Sequence, residues 1–346
     1  MRIAVDAREL QGHATGVGTY LSGILEEWAT LPAAARHAVI LCQPETRSGT
    51  WWEQRVLPRL VREANADVLF SPGYTAPIRA GVPTVVAIHD VSFAAHPEWF
   101  GWREGLRRRT LTRLSARRAV RVLTISAFSK REIVTHLGVA PDKVEVVYPG
   151  ITSSPTRASD PAGNLILFVG SLFNRRHLPE LIAGFAKLTR HVPDARLEIV
   201  GENRTVPRID IDRVAAGSGA GDRIALRSYL PQAELTALYA RARAFVFLSE
   251  YEGFGLTPLE ALGAGVPIVV LDTPVAREIY GDAAVYVERP DPSLIDTALR
   301  RVLTDEAERT RILEAGRDLV TRYSRRRCAE RVLDVLISCC QCPVSR

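Results

Sequence analysis

The sequence predicts a two-domain α/β protein, each domain a doubly wound parallel sheet flanked by helices. Three observations carry this: a length of 346 residues, twelve short apolar runs separated by helix-length segments, and one polar, proline-rich stretch dividing the runs into two sets of six. A single core of that size would be unusual, and two domains of roughly 150 residues each fit better.

The first set of runs is Ile3–Val5, Val39–Leu41, Val68–Phe70, Val85–Ile88, Val122–Ile125 and Val144–Val147. The second is Leu165–Val169, Leu197–Val200, Ile224–Leu226, Phe245–Leu248, Ile268–Leu271 and Val285–Val287. Runs this short and this uniformly apolar read as strands covered by helices on both faces. Between the sets, Thr-Ser-Ser-Pro-Thr-Arg-Ala-Ser-Asp-Pro-Ala-Gly from Thr152 to Gly163 is unpatterned, as a linker is. The domains expected are therefore residues 1–155 and 156–321, and the stretch from about 322 to 346 either caps the second domain or packs back on the first. Doubly wound sheets bind ligands outside the carboxyl ends of their strands. Two such sheets facing each other would wall a cleft, and candidate residues are sought at strand ends.

Composition narrows the class. With 47% hydrophobic and 24% charged residues the chain is that of a globular body. No run approaches the roughly 20 apolar residues of a membrane-spanning helix, and Met1-Arg2-Ile3-Ala4-Val5-Asp6 reaches an acid before a signal-peptide core could form. The five cysteines, Cys42 alone and Cys328, Cys339, Cys340 and Cys342 near the tail, lack the paired spacing or His partners of a metal site. Reduced thiols, a cytoplasmic setting and no bound metal are expected. The net charge of +6 suggests an anionic partner.

The densest chemistry lies in Ser249-Glu250-Tyr251-Glu252-Gly253-Phe254-Gly255-Leu256-Thr257-Pro258-Leu259-Glu260, which begins where a strand ends. The glycines permit a tight turn with exposed N–H groups, and Thr257 followed by Pro258 predicts a helix capped at Thr257. A diphosphate could sit on that helix N-terminus. Glu260 has a bland reading, since Thr257 to Glu260 matches a capping box. Glu252, beside glycines at a strand end, has no helix to stabilise.

This constellation, with Ala-Leu-Gly-Ala-Gly-Val-Pro following Glu260, resembles the signature of retaining glycosyltransferase family 4. The resemblance implies the GT-B fold and transfer of a sugar from a nucleoside-diphosphate sugar, with GDP-mannose the first guess, to a hydroxyl of a glycan or lipid-linked acceptor. It implies retention at the anomeric carbon and no cofactor or metal. It places Glu252 on the sugar, the backbone of Gly253, Phe254, Gly255 and Leu256 on sugar and phosphate, and Glu260 on the ribose.

Phe168-Val169-Gly170-Ser171-Leu172-Phe173-Asn174-Arg175-Arg176 is a strand, a small-residue turn and two cations, suited to charge growing on a leaving phosphate. It resembles the family's phosphate loop, with Arg176 where lysine is usual, and makes Gly170, Ser171, Arg175 and Arg176 donor-site candidates. Gly201, Tyr229 and Leu230 fall where the family's backbone reads the nucleotide; Ser228 stands where the family often has glycine, leaving the base open. In the first domain Asp6-Ala7-Arg8 ends a strand, and Gly16, Val17 and Gly18 lie in a loop that resembles one facing donor phosphates and acceptor. The Gly-x-Gly lacks the remainder of a dinucleotide fingerprint. By the same resemblance His89 lies near the transferred sugar, with Asp90, Ser126 and Ser129 as acceptor-side candidates; the serines could equally cap the next helix.

From Arg103 to Arg121 eight arginines face one acid, Glu104, with Leu106, Leu111 and Leu114 among them. That is a basic amphipathic helix or a solvated helix face. It suggests peripheral contact with an anionic membrane on its inner face, while no recognition motif supports nucleic acid. Two other readings are a sugar-nucleotide epimerase or hydrolase that needs no acceptor, and a catalytically silent donor-binding membrane scaffold.

Overall fold

The computed structural model describes residues 1–11, 16–44, 49–151 and 163–340. Residues 152–162 of the predicted linker and Cys342 lie outside the described residues. The chain divides into one unit of Met1–Gly150 with Tyr323–Arg346 and a second of Ile151–Arg322.

All twelve apolar runs are strands. In the first unit β1 (Arg2–Asp6), β2 (Ala38–Cys42), β3 (Val68–Ser71), β4 (Thr84–Ala87), β5 (Arg121–Thr124) and β6 (Val144–Val146) form one parallel sheet in the order β2-β1-β3-β4-β5-β6. In the second, β7 (Leu165–Val169), β8 (Arg196–Val200), β9 (Ile224–Arg227), β10 (Ala244–Phe247), β11 (Ile268–Leu271) and β12 (Ala284–Val287) are ordered β12-β11-β10-β7-β8-β9. The central strands β3, β4, β10 and β11 are buried at every position, whereas the edge strands β2 and β9 are partly exposed. Burial on both faces is what removes the apolar–polar alternation from a strand.

Each order reverses once, between β1 and β3 in the first unit and between β7 and β10 in the second. At such a switch point the flanking connections leave in opposite directions and a crevice opens outside the carboxyl ends. The second unit's crevice is therefore bounded by the residues after Val169 and Phe247, where the sequence places its glycine-rich motifs.

The terminal helix Arg325–Cys340 packs on the first unit's sheet. Cys328, Ala329, Val332, Leu333 and Leu336 share one core with Ile3, Val5, Trp28, Val68 and Phe70, and the Trp28 indole donates to the Ala329 carbonyl at 2.9 Å. No described helix is long and apolar enough to cross a membrane.

Candidate functional site

In the second unit the loops after β7 and β10 interlock. Arg176 ends the 3-10 turn Asn174–Arg176 after β7, and its Nη1 donates to the Ser171 carbonyl at 2.7 Å. Its Nε and Nη2 donate to Oε1 of Glu252 at 3.2 and 2.9 Å, and the Ser249 hydroxyl donates to the same oxygen at 2.8 Å. Glu252 Oε2 has no hydrogen-bond partner among the described residues, so one carboxylate oxygen is held and the other is open to a ligand. The Arg176 guanidinium lies 4.6 Å from the ring centre of Phe247, the last residue of β10, a contact that fixes its plane. Arg175 stacks on Phe173 at 4.3 Å and donates to the Tyr251 carbonyl at 3.3 Å, while its own carbonyl accepts from the Glu250 N–H at 3.0 Å.

Gly170 shows why a side chain is excluded there. It has φ +144°, and an added Cβ would lie 2.4 Å from Arg176 Nη1. Gly201 extends β8 beside it, its N–H donating to the Arg227 carbonyl at 2.8 Å.

The helix after the glycine turn spans Leu256–Gly263, with Gly255 at its cap position in a left-handed conformation and no side-chain cap bond. The predicted cap at Thr257 and its capping box with Glu260 are therefore corrected. The left-handed turn at Gly255 starts the helix before Thr257, so Thr257 and Pro258 fall within the first turn, where N–H groups lack helical partners and proline costs little. Glu260 is half-buried on the second turn of this helix. Its charge adds to the burial that pushes the Tyr239 hydroxyl well above its usual range. Phe254 is buried at 2% exposure, so only its backbone can meet a ligand, while Tyr229 beyond β9 is exposed and Leu230 half-buried.

In the first unit Gly16, Val17 and Gly18 form the first turn of the helix Gly16–Thr30 and not a loop before it. His89 follows β4 and is buried. Its Nε2 donates to the Pro72 carbonyl at 2.8 Å, and burial lowers its pKa, which favours the neutral ring. Asp90 accepts from the Tyr74 hydroxyl at 2.7 Å and the Ser92 N–H at 2.8 Å. Ser126 is the side-chain cap of the helix Ala127–Leu137, and the Ser129 hydroxyl donates to the His89 carbonyl at 3.0 Å. Both serines are buried, and the Ser129 hydroxyl supports the His89 backbone.

The basic segment is the helix Trp102–Arg118, while Arg121 lies in β5. Gly105, Thr112, Ser115 and Ala116 face inward, Leu111 is half-buried, and Trp102, Leu106 and Leu114 are exposed among the arginines.

Sequence reasoning missed a buried charge cluster at the end of β1. Arg8 Nη2 lies 2.6 Å from Asp6 Oδ2 and 2.5 Å from Glu53 Oε2, and the Thr75 hydroxyl donates to the same Glu53 oxygen at 2.5 Å. Asp6-Ala7-Arg8 at a strand end was the visible half of the signal; Glu53, inside Trp-Trp-Glu-Gln, reads as an ordinary helix position. Burial pushes the Asp6 carboxyl up to about 6 against the pull of Arg8, with the Glu53 charge adding to the rise. A carboxyl raised on folding stabilises the fold below its unfolded pKa, and that contribution is lost as pH rises through about 6. The expected result is that Asp6→Asn, compared with the wild type by urea unfolding at pH 4.5 and 7.5, gains relative stability by roughly 2 kcal/mol between the two. An equal difference at both pH values would show that Asp6 does not titrate in that window.

Residues 153–319 match the family model Glycosyl transferases group 1, and residues 22–154 match Glycosyltransferase Family 4. The O-antigen chain mannosyltransferase RfbU of Salmonella typhimurium is 25% identical over 73% of this chain and 68% of its own length. The GDP-mannose:cellobiosyl-diphosphopolyprenol alpha-mannosyltransferase of Xanthomonas oryzae pv. oryzae is 29% identical over 56% of this chain, which spans only 50% of that enzyme. The crystal structure of Anabaena Alr3699/HepE in complex with UDP and glucose has a TM-score of 0.76 at 17% identity, over 98% of this chain and 100% of that one. At that identity the likeness concerns the fold alone.

Proposed function

Because the chain belongs to the group 1, family 4 glycosyl transferases and has the two-domain α/β GT-B fold, we propose that it transfers a hexose from a nucleoside-diphosphate sugar to a hydroxyl of a glycan or lipid-linked acceptor, with retention and without a metal. The observation that carries this is the Arg176–Glu252 pair at the β7–β10 switch point, beside the N-terminus of the helix Leu256–Gly263. A cation, a half-committed carboxylate and free helical N–H groups together match a sugar diphosphate, whose one end is anionic and whose other end is a set of hydroxyls.

In this reading the diphosphate lies against Arg175, Arg176 and the helix N-terminus, while Glu252 accepts from sugar hydroxyls and Glu260 from the ribose. As the bond between the anomeric carbon and the phosphate oxygen breaks, its electron pair stays on that oxygen, where the fixed cations stabilise the charge. The acceptor oxygen bonds to the same face of the carbon, and its proton passes to the departing phosphate oxygen. GDP-mannose is the first donor to try, since two sequence relatives are named as mannosyltransferases, one of them for GDP-mannose; UDP is the alternative, from the complex with the Anabaena protein.

The test is a thermal-shift titration with GDP, UDP and their sugars, repeated in EDTA. One nucleoside diphosphate at about 100 times its Kd is expected to stabilise by about 2.7 kcal/mol, equally with and without chelator. Stabilisation by none of them would remove the donor site, and stabilisation only with added magnesium or manganese would overturn metal independence. Sugar release at full rate without acceptor would favour a hydrolase.

A further inference from the structure

Tyr74 is one of three described non-glycine residues with positive φ, at +67°. A bulky side chain in the left-handed region is strained and persists only where the surroundings hold it. Here they do. The Tyr74 N–H donates to the Ala87 carbonyl at 2.9 Å, and its hydroxyl donates to Asp90 Oδ2 at 2.7 Å. Its ring stands edge-on to His89, with centroids 5.5 Å apart, while Tyr20 meets the same imidazole at 4.9 Å.

Its neighbours in the turn are committed in the same direction. The Pro72 carbonyl accepts from His89 Nε2, and the Thr75 hydroxyl donates to Glu53, which is bound to Arg8. The turn from Pro72 to Thr75 thus links the buried Asp6–Arg8–Glu53 cluster to His89 and Asp90, across the carboxyl ends of β1, β3 and β4. Tyr74 and Asp90 are both only half-buried. A tyrosine needed for packing alone would have no reason to commit its hydroxyl to a half-buried carboxylate.

We propose that Tyr74 is a positioning residue for sugar transfer, its strained backbone aiming the hydroxyl at Asp90 and the ring at His89, so that the two are presented to the acceptor hydroxyl in one fixed arrangement. This rests on the reading of His89 and Asp90 as lying beside the transferred sugar and acceptor. A group held this way contributes through orientation, so its loss falls on turnover and not on nucleotide affinity.

The experiment compares Tyr74→Phe, which keeps ring and backbone, with Tyr74→Gly, which relieves the conformation and removes both contacts. Transfer is followed with GDP-mannose as donor and octyl α-mannoside as acceptor, GDP affinity by calorimetry, and the His89 imidazole by its nitrogen-15 resonances, assigned with His89→Gln. The phenylalanine variant is expected to lose about tenfold in kcat with GDP affinity and melting temperature unchanged, and the glycine variant more, with a shifted His89 resonance. Wild-type kcat in the phenylalanine variant, or a kcat that falls only as melting temperature falls, overturns the proposal. If the wild type neither binds GDP nor turns over, it is the donor reading that has failed; the imidazole signal still decides whether Tyr74 holds His89, and an unchanged signal in the glycine variant refutes it.

Discussion

Arg176→Ala is expected to lower kcat by at least tenfold, and up to the roughly 10²–10³ typical of losing one preorganised charge-stabilising donor, with the fold intact. The cation is aimed at charge that grows only as the sugar leaves, so its loss falls mainly on the transition state. The geometry adds a coupling. Arg176 also supplies two of the three hydrogen bonds on Glu252 Oε1, so its removal leaves that oxygen with Ser249 alone. Glu252→Gln should reduce transfer at least as strongly while leaving the affinity for bare nucleoside diphosphate almost unchanged, because its proposed partners are sugar hydroxyls. The double variant should then be much less impaired than the product of the single effects, as residues acting as one unit are. Arg176→Lys keeps the charge but not the fork and should fall between. Steady-state kinetics of the four variants and the wild type, with calorimetric titration by nucleotide, decides this. Loss of nucleotide binding in a well-folded Glu252→Gln protein would show that the carboxylate is not on the sugar.

How much of this was legible in the sequence depended on whether the cause was local. Val68–Phe70 and Ile268–Leu271 read as strands because burial on both faces leaves only apolar residues. Ser126, one residue before its helix, was readable as a cap because capping acts across three residues. The Thr257 capping box failed for the opposite reason: the motif was present, but a Tyr280 hydroxyl 25 residues away holds the Gly255 carbonyl and sets where the helix starts. Glu53 was invisible because its partner Arg8 lies 45 residues earlier in the chain, and neither residue's neighbours announce the other. Tyr74 was passed over because a left-handed aromatic has no sequence signature. The donor loops were legible since glycines and cations crowd one strand end, whereas the groups that fix their geometry, Ser249, Phe247 and Tyr280, look like ordinary core residues.

Tyr280 leads to the second large effect. Gly255 has φ +93°, and a Cβ built there would lie 2.0 Å from the Tyr280 oxygen, whose hydroxyl donates to the Gly255 carbonyl at 2.7 Å. Gly255→Ala therefore meets two obstacles, a backbone conformation that L-residues rarely adopt and a buried hydroxyl with little room to retreat, Tyr280 being 3% exposed. Relaxing either one rotates the turn that presents the N–H groups of the helix at Leu256. The expected result is at least a tenfold loss of nucleotide affinity, together with roughly 1–3 kcal/mol of lost stability. Tyr280→Phe separates the two causes. In the Gly255→Ala background it removes the overlapping oxygen but not the backbone strain, so it should restore part of the melting temperature and little of the affinity. Alone, it loses one buried hydrogen bond, costing about 1 kcal/mol. Full recovery of affinity in the double variant would mean that the clash, and not the left-handed backbone, is what the glycine avoids; wild-type affinity in Gly255→Ala itself would mean that this turn does not present the nucleotide's phosphates.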